Sequence, residues 1–239
     1  MEAFVESRGG KLWTVARGQG MPILLCNGGP GCCDYLEPVA QMLEDRARVI
    51  RWEQSGCGRS DCTPPYDIET CLRDIESIRL HYGIERWIVG GHSWGADLSL
   101  TYALEHPDRV RGVICIASGR FNNDREWHRI YDERRLQGLE VLPEFQFPPN
   151  MEVNREGNAS RRQYIQRPTL WRDLSRLATP AIFIYGENDI RPSWPVEQVA
   201  HLLPNARFHL IGGADHYLWT SHAEPMKTLL REFIDGLDR

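Results

Sequence analysis

Lysine is almost missing from this chain: of 28 basic residues only Lys11 and Lys227 are lysine, and the arginines are spread from end to end. The bias follows no segment and carries no functional weight. Long apolar runs are missing too. The longest, such as 23–26 and 181–185, fall far short of the roughly 18 residues that a membrane span requires, so no membrane association is expected. Blocks of like charge are lacking, and 28 basic against 33 acidic residues leave a net charge of -5, which argues against nucleic acid as a partner. The opening residues MEAFVESRGG do not set a basic stretch before an apolar one, as a secretory signal would. A cytoplasmic location is expected, and it suits the cysteines: seven is an odd count, with Cys32 and Cys33 adjacent, as free thiols allow. CxxC and HExxH spacings are absent, so neither a metal nor another cofactor is expected. No feature of the sequence fixes an oligomeric state.

What remains is an ordinary globular composition, 239 residues with 41% hydrophobic and 26% charged, which fits one domain with an insertion better than two domains. Such a chain should fold to an accessible surface of about 11,000 Å² around a core that needs no disulfide staple. Strand-like runs alternate with helical spacings. Residues 4–6 and 12–16 read as an opening hairpin about Gly9 and Gly10, and 22–26 as a buried strand. Residues 34–46 carry Leu36, Val39, Ala40 and Leu43 at helical spacing. Strands at 48–52, 87–90, 113–117, 181–185 and 207–211 then alternate with helices at 68–82, 94–105, 195–203 and 223–237. That order predicts an α/β fold, a mostly parallel sheet with helices on both faces. Residues 119–168 interrupt it, rich in Arg and Glu with scattered aromatics. Long insertions in compact domains are usually functional, so a small cap or lid at 119–174 is expected over a core of 1–118 and 175–239. The plain alternative is an irregular excursion.

Residues 91–95, GHSWG, follow the apolar run 87–90 and open a helix. Strand, sharp turn and helix are the setting of a nucleophile elbow, whose glycines permit the tight turn that lifts Ser93 Oγ to the carboxyl end of the sheet. The plainer reading is a serine that caps a helix N-terminus. A serine hydroxyl needs a base within hydrogen-bond reach and a carboxylate to orient that base. Asp189 follows strand 181–185 and His216 follows strand 207–211, so both fall on the rim that holds Ser93, in the order Ser, Asp, His. Glu187 and Asp215 are the alternative acids, and either aspartate could instead form a turn. Of the other histidines, His92 points away from the nucleophile at such a turn, His209 lies within a strand, and His201 and His222 fall in or beside helices. The loop CNGGPG at 26–31 ends the third strand, and the N–H groups of Gly29 and of Trp94 are the candidate oxyanion donors. A plain turn is the competing reading of that loop.

These linked motifs resemble those of the α/β-hydrolase superfamily, and within it the prolyl iminopeptidase-like branch, which typically shows HGGPG, DQxGxGRS and GGSWG. The counterparts are NGGPG at 27–31, EQSGCGRS at 53–60 and GHSWG at 91–95. The resemblance runs over 1–118 and 175–239. It implies an α/β-hydrolase fold with Ser93, Asp189 and His216 as triad and Gly29 and Trp94 as oxyanion donors. Asn27 stands where the branch usually has His, and Glu53 where it has Asp, both able to keep a hydrogen-bonded loop. The insertion is shorter than the acidic cap with which that branch holds a substrate's free amine. Glu126, Glu133, Glu140, Glu144, Glu152 and Glu156 are the candidate anchors, set among arginines such as Arg125, Arg134 and Arg161 that could neutralise them.

The first functional expectation is therefore a cofactor-free serine hydrolase that cleaves a small carboxylic ester or amide through an acyl-enzyme. Short, uncharged acyl groups are expected, under an apolar wall of Trp127, Phe145 and Phe147. The alternatives are a prolyl aminopeptidase, and a small-molecule receptor or signalling protein with an idle triad. Dehalogenase and epoxide hydrolase chemistry is disfavoured, because those enzymes use Asp where this chain has Ser93.

Overall fold

The computed structural model describes residues 1–122, 124–140 and 142–237. An antiparallel hairpin opens the chain, β1 (Glu2–Ser7) and β2 (Gly10–Arg17), followed by β3 (Met21–Cys26), α1 (Glu37–Gln41), β4 (Ala47–Trp52) and α2 (Ile68–His81). Next come β5 (Trp87–His92), α3 (Trp94–Glu105) and β6 (Val110–Ile116). Three helices, α4 (Arg125–Leu136), α5 (Met151–Tyr164) and α6 (Leu170–Arg176), then precede β7 (Ala181–Gly186). The chain continues with α7 (Trp194–Leu202), β8 (Ala206–Ile211) and α8 (Ala223–Leu237). All eight strands join one sheet in the order β1-β2-β4-β3-β5-β6-β7-β8. It is antiparallel where β2 meets β1 and β4, and parallel elsewhere.

Parallel strands covered on both faces must send alternate side chains into two cores. On β3, Leu24 and Cys26 join the cluster formed with Ile75 and Ile78 of α2, Leu98 of α3, Leu174 of α6 and Val199 of α7. Ile23 and Leu25 point into the other, with Val39 of α1 and Met226, Leu230 and Ile234 of α8. The spacing of those last three, one every four residues, explains why α8 was legible as an amphipathic helix. The accessible surface is 10891 Å², as the chain length predicts. Among the described residues no helix is long and apolar enough to cross a membrane.

One element departs from expectation. The helix expected over 34–46 is reduced to Glu37–Gln41, because tertiary hydrogen bonds claim the residues before it. The Asp34 N–H donates to Glu53 Oε1 at 3.0 Å, the Tyr35 N–H to Asn27 Oδ1 at 3.4 Å, and the Leu36 N–H to the Asp34 carboxylate at 3.2 Å. The insertion, for which the sequence predicted no elements, is largely helical among the described residues. Asp124 accepts from the Trp127 N–H and caps α4, and Asn150 accepts from the N–H groups of Glu152 and Val153 and caps α5.

Candidate active site

The strand β5 ends where α3 begins, and the turn between them falls on Ser93, with φ 54° and ψ -124°. A non-glycine residue at this dihedral is strained by roughly 1–3 kcal/mol, and such strain persists where the surroundings enforce it. Ser93 occupies the N-cap position of α3 yet makes no side-chain capping bond. The capping reading of this serine therefore fails. The flanking glycines are required by close approach: a Cβ on Gly95 would collide with the carbonyl oxygens of Cys26 and Asn27, and one on Gly91 would lie 2.6 Å from Cys26 O.

Past the carboxyl ends of β7 and β8, which β6 separates from β5, His216 Nδ1 lies 2.5 Å from Asp189 Oδ2, both side chains buried. The other carboxylate oxygen of Asp189 accepts from the Arg191 N–H at 2.9 Å and its guanidinium at 3.3 Å. Burial alone would raise the Asp189 carboxyl, but His216 and Arg191 outweigh it and hold the group below the usual carboxylate range. Glu187 instead accepts from the Gly213 N–H, and Asp215 is exposed. His201 lies on α7, bonded to the Glu197 carbonyl, and His222 to Ser221. His209 belongs to β8.

His92 has a role that sequence reading missed. The Gly28 N–H donates to Tyr35 Oη at 2.7 Å, so that hydroxyl is free to donate in turn to His92 Nδ1, also at 2.7 Å. The His92 Nε2–H then donates to the His216 carbonyl at 3.0 Å. Only one arrangement of protons satisfies all three bonds, because an amide can only donate and a carbonyl only accept. The 27–31 loop is thereby tied to the backbone of His216 through the half-buried Tyr35 ring and the buried His92 ring. Burial and the adjacent His216 push His92 well below its ordinary value and keep it neutral.

Both departures from the usual motifs keep their loops. Asn27 Nδ2 donates to the Trp52 carbonyl at 2.7 Å, and the fully buried Glu53 accepts from the Arg59 backbone at 2.6 Å and from its guanidinium at 2.6 and 3.0 Å.

Ser93, Gly29 and Trp94 line a common cavity of about 320 Å³. Its wall is more polar than expected. Trp127 contributes, but so do Asp97, Asn154, Asn158, Arg120, Arg161 and Arg191, whereas Phe145 packs on Tyr35 and Phe147 lies towards Arg59. Asp97, one helical turn beyond Ser93, accepts from Ser118 Oγ, from the N–H groups of Gly119 and Arg120, and from Arg161 Nε at 2.6 Å. None of the six candidate glutamates lines this cavity. Glu126 and Glu133 pair with Arg129, Glu140 with Arg191, and Glu152 and Glu156 with Arg155. Among the described residues, no group of three or more His, Cys, Asp or Glu is placed to hold a metal ion.

A doubly covered parallel sheet with a serine raised on a strained strand-to-helix turn defines a class of α/β protein. The description alpha/beta hydrolase fold matches residues 21–147, and the chain belongs to that family. Over 98 residues it is 39% identical to the proline iminopeptidase of Neisseria gonorrhoeae, a stretch that covers 40% of this chain and 32% of that protein. The matched region thus spans about a third of that relative's length. The proline iminopeptidase of Lactobacillus helveticus is 21% identical over 93% of this chain and 92% of its own. A thermophilic esterase from Thermogutta terrifontis superimposes with a TM-score of 0.80 over 99% of both chains at 20% identity, a likeness of fold.

Proposed function

We propose that the protein is a serine hydrolase that cleaves a small carboxylic ester or amide through an acyl-enzyme, with Ser93 as nucleophile, His216 as base and Asp189 as its orienting acid. The observation that carries this reading is an uncapped, strained Ser93 lining a cavity, at the carboxyl end of the same parallel sheet as a hydrogen-bonded His216–Asp189 pair. Ser93 Oγ attacks the substrate carbonyl as His216 takes its proton, and the N–H groups of Gly29 and Trp94 receive the oxyanion. Collapse expels the leaving group, which takes that proton from His216. Water, deprotonated by His216, then releases the acid and restores Ser93. Residues 119–174 serve as a small cap over a core of 1–118 and 175–239, since α4 and α5 supply much of the cavity wall.

The likeness to proline iminopeptidases favours a second reading, removal of N-terminal proline. An ammonium group needs a carboxylate beside it. The carboxylate in the cavity wall, Asp97, is already paired with Arg161, so the ester or amide reading is preferred. A fluorophosphonate probe should label wild-type protein at Ser93, and Ser93→Ala should lose both labelling and more than about 10³-fold of turnover. A receptor with an idle triad would label slowly or not at all. Preference above roughly 100-fold in kcat/KM for prolyl-β-naphthylamide over its N-acetylated form, about 2.7 kcal/mol, would establish the aminopeptidase instead.

A further inference from the structure

Three guanidinium groups line the wall above Ser93, and two of them are already satisfied. Arg161 donates to Asp97 at 2.6 Å and to the Arg120 carbonyl at 2.7 Å. Arg191 is shared between Asp189 at 3.3 Å and Glu140 at 2.7 Å. Arg120 differs. Its guanidinium lies 3.6 Å over the Trp127 ring and donates to the Asn122 carbonyl at 3.0 Å, but among the described residues no carboxylate forms an ion pair with it. A guanidinium carries five donors in a planar fork suited to a carboxylate, and one carbonyl leaves most of them unused.

We infer that the substrate carries a free carboxylate, which Arg120 binds in the cavity while the scissile carbonyl lies at Ser93. This rests on the hydrolase reading above and narrows its substrate class to anionic esters or amides. The apolar wall expected of Trp127, Phe145 and Phe147 gives way to a wall with three arginines, and the acyl group is uncharged on this inference only if the carboxylate lies on the leaving group. The Trp127 ring, 3.6 Å from the guanidinium carbon, already restrains the Arg120 side chain, so little freedom is lost when the anion arrives. Burial and the neighbouring Arg161 lower the Arg120 guanidinium to about 10. A bound carboxylate would oppose that shift by adding a direct ion pair to the partial counter-charge that Asp97 already gives Arg120.

Two pairs of esters test the inference. Mono-4-nitrophenyl adipate is compared with methyl 4-nitrophenyl adipate for a charge on the acyl side, and 4-carboxyphenyl butyrate with its methyl ester for a charge on the leaving group. Glutarate is titrated calorimetrically into the wild-type protein as a measure of binding independent of turnover. The expected result is at least about tenfold higher kcat/KM for the anionic member of one pair, with the ratio falling towards unity in Arg120→Gln and partly kept in Arg120→Lys. Equal or faster cleavage of the neutral member in both pairs, with Ser93 still labelled by fluorophosphonate, overturns the carboxylate subsite and leaves the hydrolase reading standing. If no ester is cleaved and Ser93 is not labelled, the hydrolase reading fails and glutarate decides the subsite. Binding weakened in Arg120→Gln supports it, and absence of binding overturns it. Should Arg120→Gln not fold, the wild-type ratios and Arg120→Lys decide between the same outcomes.

Discussion

Around Ser93, two clusters of hydrogen bonds fix groups that the proposed mechanism uses, one centred on Tyr35 and His92 and the other on Asp97. The hydrogen bonds from Gly28 through Tyr35 and His92 to the His216 carbonyl join the 27–31 loop to the backbone of the proposed base. Tyr35→Phe deletes the hydroxyl at the centre of that chain and leaves a buried N–H and a ring nitrogen without partners. A loss of about 1–3 kcal/mol is expected in urea unfolding. Tyr35 is a positioning residue on this reading, so kcat should fall roughly tenfold or more while KM changes little, because misplacing the base damages the transition state more than binding. Equal kcat in the variant would show that the chain is structural alone. Asp97 is the second such residue, collecting Ser118, Gly119, Arg120 and Arg161 around one carboxylate. Its removal in Asp97→Ala strands the buried Arg161 guanidinium, and breaking a buried pair costs about 3–5 kcal/mol. The midpoint of urea denaturation reads that loss directly, and a change under about 1 kcal/mol would mean that water replaces the aspartate.

At the scale of elements, the contact that matters most joins α5 to two motif loops. The Asn150 side chain caps α5 and also donates to the Gly56 carbonyl at 2.8 Å, while its N–H donates to the Gly31 carbonyl at 2.9 Å. Asn154 Nδ2, one turn on, donates to the Pro30 carbonyl at 2.8 Å. Replacement by alanine at Asn150 removes the cap and the bond to Gly56, so about 1–2 kcal/mol of stability should be lost. Hydrogen exchange should show the excess opening in α5 and in the 27–31 and 53–60 loops rather than in the sheet. Uniform acceleration across the sheet would contradict this coupling. The strands were legible as short apolar runs because a doubly covered sheet buries both their faces, and α2, α7 and α8 because each buries one face against it. Helices α4 and α5 were not, since Trp127 is the buried residue of the first and Val153, Gly157 and Arg161 those of the second, too few to make an apolar stripe. Their signals were the caps Asp124 and Asn150 and the paired charges of Glu126, Arg129 and Glu133 at helical spacing. The motif residues Ser93, Asp189 and His216 stood out through glycine and strand-end position. Arg120 and Asp97 did not, because arginine and aspartate on a charged chain reveal a partner only once the fold brings them together.

For the molecule as a whole, stability against acid is a balance among buried groups, two whose charge the fold opposes and one whose charge it favours. His92, neutral and buried, binds a proton in the unfolded chain below its ordinary value of about 6.5 but not in the folded one, so its contribution drains stability as pH falls from there. Asp34 acts in the opposite sense. Burial, only partly offset by Arg51, pushes it up to about 6, so the folded state takes up a proton before the unfolded one and gains stability as pH falls from about 6 to about 4. Asp189, held below the usual range, contributes stability above about 4 that is lost as pH falls through its folded value. The first two slopes, each up to about 1.4 kcal/mol per pH unit, oppose each other between about pH 6 and 4. Wild-type stability should therefore change little across that window from these two groups and fall below it. Variants separate the terms. In His92→Gln the descending contribution is gone, so its stability relative to wild type should rise by up to about 1.4 kcal/mol per unit as pH is lowered from about 6.5. In Asp34→Asn the ascending contribution is gone, so its stability relative to wild type should fall over about pH 6 to 4. Urea unfolding free energies of the three proteins at half-unit intervals measure both differences. Curves that ran parallel to wild type would show that neither group changes protonation between the folded and unfolded states.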